Sequence, residues 1–261
     1  MAATFLLGSS YYILLFYIPN FLQVVLGYSA IMSSVLLLPF VLLVTVIVQS
    51  AGLLISKYGR YREYIVAGFA IWAAGAGALT TLGVNSKEGH IIGYLVLCGI
   101  GAGLTVQTTV IAVMAACADR KDVSVALSCR NYLRLLGGSI FLAVATTIVN
   151  NGFKSKLGDS IDSATLQRIL DDPIYVQNTL RNTLAPATFT TIIEAYISAF
   201  RTLFFVVMGL LLAATAISAL FIRHHSLTRE DDAQLKEEGK RYLAEQKAKR
   251  ADRKSQPGEK V

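Results

Sequence analysis

Apolar residues gather in about six long runs, at 2–25, 31–54, 64–82, 91–113, 132–149 and 202–222, with short polar breaks and one longer connection between them. Each run holds roughly 18–25 residues, the length an α-helix needs to cross a bilayer core about 30 Å thick. In hydrocarbon the backbone must satisfy its own hydrogen bonds, so repeated runs predict an all-α integral membrane bundle of six transmembrane helices. Soluble enzymes, nucleic-acid binders and secreted disulfide modules are excluded by the same pattern. The chain divides at 222: a six-helix bundle over 1–222, with an outer-surface loop at 150–201, and a charged cytosolic tail over 223–261.

Basic residues around the runs orient them. Lys57, Arg60 and Arg62 follow the second run, Arg120 and Lys121 follow the fourth, and the tail is rich in Lys and Arg. These segments alternate onto one side, which predicts a multi-pass protein with both termini cytoplasmic. The breaks at 26–30 and 83–90 hold only Lys87 as a basic residue. Within the long connection, 164–170 has helical spacing and Asp172-Pro173 is a helix start, with Asp as cap and Pro in the first turn. Short amphipathic helices on the outer surface, capping the bundle, are expected there.

Composition agrees with the runs: 54% of residues are hydrophobic and only 16% charged, against about 25% charged in a soluble domain. The net charge of +7 invites a nucleic-acid reading. Much of the Lys and Arg lies beyond Ile222, interleaved with Glu230, Asp231, Asp232, Glu237 and Glu238, so a solvated tail accounts for it and no nucleic-acid partner is expected. Cys98, Cys117 and Cys129 lack CxxC or metal spacing and read as packing residues. No metal, cofactor or catalytic residue is expected, and no His/Cys/Asp/Glu cluster or nucleophile–base pair suggests an enzyme.

The runs differ in polarity. The first contains Tyr11, Tyr12, Tyr17, Asn20 and Gln23, the second Gln49, the fourth Gln107, and the fifth begins at Asn131 and Arg134, whereas the third and sixth hold little beyond threonines, Ser218 and Trp72. Polar groups at membrane depth face the bundle interior or a water-filled path. Helices one, two, four and five are therefore expected to enclose a cavity, with three and six against lipid. Tyr12, Phe16, Pro19 and Gln23 fall at i, i+4, i+7 and i+11, with Asn20 at the edge of that face. Gly99, Gly103 and Gln107 form a second stripe. Tyr12, Phe16, Asn20, Gln23, Gln49 and Gln107 are the candidate substrate contacts; the alternative is that the amides only bond neighbouring helices. Pro19 and Pro39 are expected to bend their helices.

Arg130 and Arg134 share one helical face near the start of the fifth run. They either snorkel to headgroups or pair with acceptors on another helix, where a planar guanidinium is favoured. None of the seventeen Asp and Glu lies inside a run, so an ionic partner must come from a loop, such as Asp119 or Asp122, or from another chain.

The segment Gly52-Leu53-Leu54-Ile55-Ser56-Lys57-Tyr58-Gly59-Arg60 resembles the G-x-L-x-D-x-x-G-R-K/R loop of the major facilitator superfamily, in its weaker C-terminal copy, with Ser56 in place of Asp. Together with Tyr17-Ile18-Pro19-Asn20-Phe21-Leu22-Gln23, Arg130-Asn131-Tyr132-Leu133-Arg134-Leu135-Leu136-Gly137-Gly138 and Ala195-Tyr196-Ile197-Ser198-Ala199-Phe200-Arg201, it is similar to the fungal drug:proton antiporter branch with fourteen helices. The resemblance covers residue 2 to about 226 and implies one bundle, the C-terminal half, of the major facilitator fold. In that fold two bundles rock about a midplane site, and helices one, two, four and five of each bundle line the cavity.

It implies efflux of lipophilic or amphiphilic small organic molecules, drugs or secondary-metabolite toxins, by proton-coupled alternating access at the plasma membrane. Gly52, Gly59, Arg60, Arg130, Asn131 and Arg134 take the gating and structural positions. The expected partners are the lipid bilayer, the small organic substrate, and a missing N-terminal half of six to eight helices or a second copy of the chain. The proton-carrying carboxylate would sit on the absent half, where an Asp of the stronger loop motif is a partner for Arg130 or Arg134. The rival readings are a half-size transporter acting as a homodimer and a transport-incompetent scaffold or regulator that pairs with full-length relatives.

Overall fold

The computed structural model describes residues 1–117, 119–157, 167–169, 174–180, 185–222, 237 and 239–246. It forms two units, Met1–His224 and His225–Val261. Among the described residues the first is a bundle of six long helices: α1 (Ala2–Val24), α2 (Ala30–Tyr58), α3 (Tyr61–Leu79), α4 (Glu88–Ala116), α5 (Arg120–Leu157) and α6 (Pro186–Phe221), with a short π-helical turn at Val176–Leu180. In the second unit, residues 239–246 are helical and exposed.

Local chemistry sets the helix ends. Ser29 caps α2, its hydroxyl accepting from the Met32 N–H at 3.2 Å. Gly59 ends α2 in the left-handed region at φ 72°, donating its N–H to the Ile55 carbonyl at 2.8 Å. The loop-motif glycine is thus a helix stop that only a residue without Cβ adopts at little cost. Both α1 and α2 run through Pro19 and Pro39 without a break in the helix.

Among the described residues, five helices are long and apolar enough to cross a membrane by length and composition: α1, α2, α4, α5 and α6. The expected third span, 64–82, is instead the 19-residue α3, which opens on Arg62 and Glu63 and ends at Leu79; those two charges dilute its apolar run. It is nonetheless closely held, with Ile65, Phe69, Trp72 and Ala76 buried and packing against α4 and α6.

The fifth and sixth runs are parts of longer helices than expected. α5 has 38 residues and α6 has 36, about 57 and 54 Å at 1.5 Å per residue, far beyond a hydrocarbon core. Much of the expected outer loop is therefore helix: 150–157 continues α5 and 186–201 begins α6. The reason is packing. Phe153 stacks on Tyr196 at 4.2 Å, and Leu157, Ile192 and Ala199 are buried around them, so the two extensions cover each other's apolar faces.

Ile169, Val176 and Leu180 are buried as well, and Gln177 donates from Nε2 to the Val24 carbonyl at the end of α1 at 2.7 Å. That bond satisfies one of the carbonyls a helix terminus leaves open. The expected helix start at Asp172-Pro173, and all of 164–170 except 167–169, lie outside the described residues.

The helices meet through glycines. A methyl on Gly8 would collide with the Arg134 carbonyl, one on Gly137 with the Phe5 carbonyl, and one on Gly138 with the Tyr12 ring, which locks α1 to α5. On α4, Gly99 and Gly103 face α2, where a Cβ would lie 3.0 Å from the Phe40 carbonyl oxygen and 2.7 Å from the Ile47 Cβ. Gly101, between them, faces α3, where a Cβ would lie 2.5 Å from the Trp72 backbone nitrogen. Lipid gives no hydrophobic drive to helix association, so close approach of small residues supplies it.

Candidate functional site

The predicted aromatic and amide stripe of α1 is the side of that helix its own bundle leaves open. Leu7, Leu14, Ile18, Phe21 and Val25 are fully buried on the opposite side, while Phe16 is 58% exposed and Tyr12, Pro19, Asn20 and Gln23 are half-buried. The periodicity that put these residues on one face is the periodicity of burial, seen from the other side. Gln49 is exposed on α2 with Thr45, whose buried stripe of Leu36, Phe40, Val44 and Ala51 faces inward. Tyr11 joins the two helices at this face, its ring 5.7 Å from that of Tyr12 and 5.8 Å from that of Phe40.

Gln107 is placed differently. It lies in the seam between α4 and α2, its Nε2 3.4 Å from where a Cβ on Gly52 would stand. Gly52 of the loop motif therefore makes room for an amide of the next-but-one helix, and the Gly99–Gly103–Gln107 stripe is a packing seam along its length. Tyr17, counted among the polar residues of the first run, is buried and shares a 2.8 Å hydrogen bond with Thr146 of α5. It bonds a neighbouring helix.

Arg130 turns into the bundle and, among the described residues, meets no carboxylate. It is 3% exposed and reaches across to α4, where its Nη2 donates to the Val106 carbonyl at 2.9 Å and the Thr109 hydroxyl at 2.7 Å. Its Nη1 donates to Oδ1 of Asn131 at 3.0 Å. All three acceptors are neutral. A backbone carbonyl has no signature in a residue pattern, and Thr109 looked like one more threonine in an apolar run, so sequence reasoning missed both. Arg134, one turn on, is half-buried; like that of Arg130, its Nε is buried without an acceptor. Its backbone lies against Gly8, about 9 Å along α1 from the start of that helix.

Two further arginines, Arg62 from the break after the second run and Arg201 at the end of a resemblance segment, tie α3 to α6. Arg62 at the start of α3 donates to the Ala219 carbonyl near the end of α6 at 2.6 Å. Arg201 of α6 donates to the Thr80 carbonyl at the end of α3 at 3.0 Å. Each antiparallel helix thus supplies a cation to the carbonyl-rich terminus of the other, where the helix dipole favours positive charge. Arg60 stands 3.7 Å from Glu63 on the exposed side. On the opposite end of the bundle the Tyr28 hydroxyl donates to Glu88 at 3.2 Å. Burial first, and then this carboxylate, push the Tyr28 phenol above the ordinary tyrosine range.

A bundle of glycine-packed apolar helices with large outward apolar residues, such as Leu42, Val46, Leu53, Leu212 and Leu220, is an integral membrane protein. The model of the Major Facilitator Superfamily matches residues 1–142, and the chain belongs to that family. It is 30% identical over 228 residues to the efflux pump bfoC of Aspergillus brasiliensis, covering 86% of this chain and 39% of that protein. With the MFS-type transporter astH of Aspergillus oryzae it shares 29% identity over 212 residues, 81% of this chain and 37% of the relative. With Citrate exporter 1 of Yarrowia lipolytica it shares 29% over 228 residues, 87% and 33% respectively. The chain thus spans between a third and two-fifths of the length of these relatives, whose names describe transporters and not enzymes.

Proposed function

We propose that this chain forms one six-helix bundle of an efflux transporter that moves lipophilic or amphiphilic small organic molecules by proton-coupled alternating access. The observation that carries the proposal is the face of α1 where Phe16 is exposed and Tyr12, Asn20 and Gln23 are half-buried, opposite the buried side of Leu7, Leu14, Ile18 and Phe21. Amides and aromatics at membrane depth need a wet cavity or a second bundle over them. With Gln49 from α2, and Gln107 bordering from its seam, this face would be one wall of the substrate path. The other wall comes from a second bundle, and the family's rocking of paired bundles supplies the motion. Coupling to protons needs a titrating group at depth; Glu194, the carboxylate within α6, is exposed on the outer extension, so the proton site belongs on the second bundle. Arg134, with a buried, unpaired Nε, is the cation left to meet it.

In this reading the basic end of the bundle, with Lys57, Arg60, Arg62, Arg120 and Lys121, faces the cytoplasm of a plasma-membrane protein. Cysteines placed at exposed Lys87 and Lys121, in a background lacking Cys98, Cys117 and Cys129, should label from outside only at Lys87; external labelling at Lys121 would reverse the orientation. For function, the purified chain reconstituted alone should show no gradient-driven export. Fused behind the N-terminal bundle of a fungal efflux relative it should export, and Phe16→Ala or Gln23→Ala should change which compounds are carried. Gradient-driven uptake by the chain alone would replace this reading with a homodimer.

A further inference from the structure

We infer that the seam between the start of α3 and the end of α6 is a binding site for an anionic glycerophospholipid of the leaflet on the basic side of the bundle. The two helices leave a groove of about 620 Å³ there, walled by Val66, Ala67, Ala70 and Ala219 and rimmed by Arg60, Arg62 and Glu63. No wall side chain is larger than valine, and Ala67 and Ala70 are exposed into it, so none of the described residues fills the space. From Arg62 to Ala70 the groove follows α3 for about 12 Å at 1.5 Å per residue. That is the reach of a headgroup at the polar end followed by the first part of an acyl chain against the alanines.

Charge selects the headgroup. Two arginines against one glutamate leave the rim with a net charge of +1, which matches a lipid of net charge −1 and not a neutral one. Arg62 is held in position by its 2.6 Å bond to the Ala219 carbonyl. That bond also covers a carbonyl whose partial negative charge would otherwise repel a phosphate. The first N–H groups of α3 lie at the same rim and favour an anion. Glu63, 3.7 Å from Arg60, can receive the ammonium of a serine headgroup. Leu220 and Phe221 beside Ala219 are 77% and 76% exposed, apolar surface that extends the chain-binding wall. A free anion in water would gain nothing from these alanines and apolar side chains; a lipid uses both parts.

The test is native mass spectrometry of the full purified chain in neutral detergent with equimolar dioleoyl phosphatidylserine and dioleoyl phosphatidylcholine. Wild type should retain phosphatidylserine preferentially, by roughly fivefold for the one net positive charge of the rim. Arg60→Gln removes rim charge and leaves the Arg62–Ala219 bond intact; Ala67→Leu fills the groove and leaves the charge intact. Both should bring the preference close to one, with the thermal unfolding temperature unchanged. Equal retention of the two lipids by wild type would overturn the site. So would loss of preference in Arg60→Gln alone, because attraction to a charged surface needs no groove.

Discussion

Arg130 offers the sharpest test of how the bundle is held, because its burial and its bonds nearly cancel. A cation buried without a counter-ion costs several kcal/mol even after relaxation. Its three hydrogen bonds, at 2.7, 2.9 and 3.0 Å, return about 1.5–3 kcal/mol each in the aqueous-protein range, and less in a membrane. At the low end they sum to about 4.5 kcal/mol. Replacing Arg130 by methionine removes both sides of the balance while keeping the stem's volume. Its acceptors on α4 are not orphaned, since the Thr109 hydroxyl shares its one proton between the Thr105 and Val106 carbonyls, at 2.8 and 3.1 Å. Arg130→Met should therefore shift stability by less than about 1 kcal/mol, or roughly 3 °C in unfolding temperature for a bundle of this size.

Thr109→Val in the wild-type background takes one of three acceptors from a buried cation and should cost about 1–3 kcal/mol. In the Arg130→Met background the same change should cost almost nothing. The two single and one double variant form a cycle, read by thermal unfolding in detergent, with an expected coupling of about 1–2 kcal/mol. A fall of more than ~6 °C for Arg130→Met, or a Thr109→Val effect of equal size in both backgrounds, would refute the cancellation.

Gly138→Val should cost about 1–3 kcal/mol because its Cβ runs into the Tyr12 ring, whereas Gly209→Ala, with nothing within 4 Å, should be neutral or stabilise by roughly 0.5–1 kcal/mol; both are read by unfolding temperature. Gly59→Ala meets no atom within 4 Å, so its loss of about 1–2 kcal/mol should come from φ alone, and Gly59→Asn should lose less. Arg62→Gln and Arg201→Gln should each cost about 1 kcal/mol, and the double variant should equal the sum, because the bonds sit at opposite ends of α3. The Tyr28 phenol, raised by burial and by Glu88, keeps its proton longer in the folded chain. The contribution of its hydrogen bond is complete below the ordinary tyrosine pKa and disappears as pH rises through the raised value. Phenolate difference absorbance against Tyr28→Phe should show Glu88→Gln moving that titration down, and no movement would refute the pairing.

Helix identity, membrane burial and the open face of α1 were legible in the residues themselves, because each rests on a local period. A run of apolar residues needs only its own length to be a span, and Tyr12, Phe16 and Gln23 need only helical spacing to share a side. The tertiary structure decided whatever depends on which backbone lies opposite. Gly101 and Gly103 look alike in the chain, yet one admits α3 and the other α2. Gln107 has the composition of a cavity residue and stands instead in a seam beside Gly52. The acceptors of Arg130 are a carbonyl and a hydroxyl on α4, and those of Arg62 and Arg201 are helix-end carbonyls. Every residue carries the same carbonyl, so no pattern of side chains marks the ones that will be used. The lengths of α5 and α6 were hidden for a related reason: Phe153 and Tyr196 prolong their helices past the bilayer only because the fold brings the two rings to 4.2 Å.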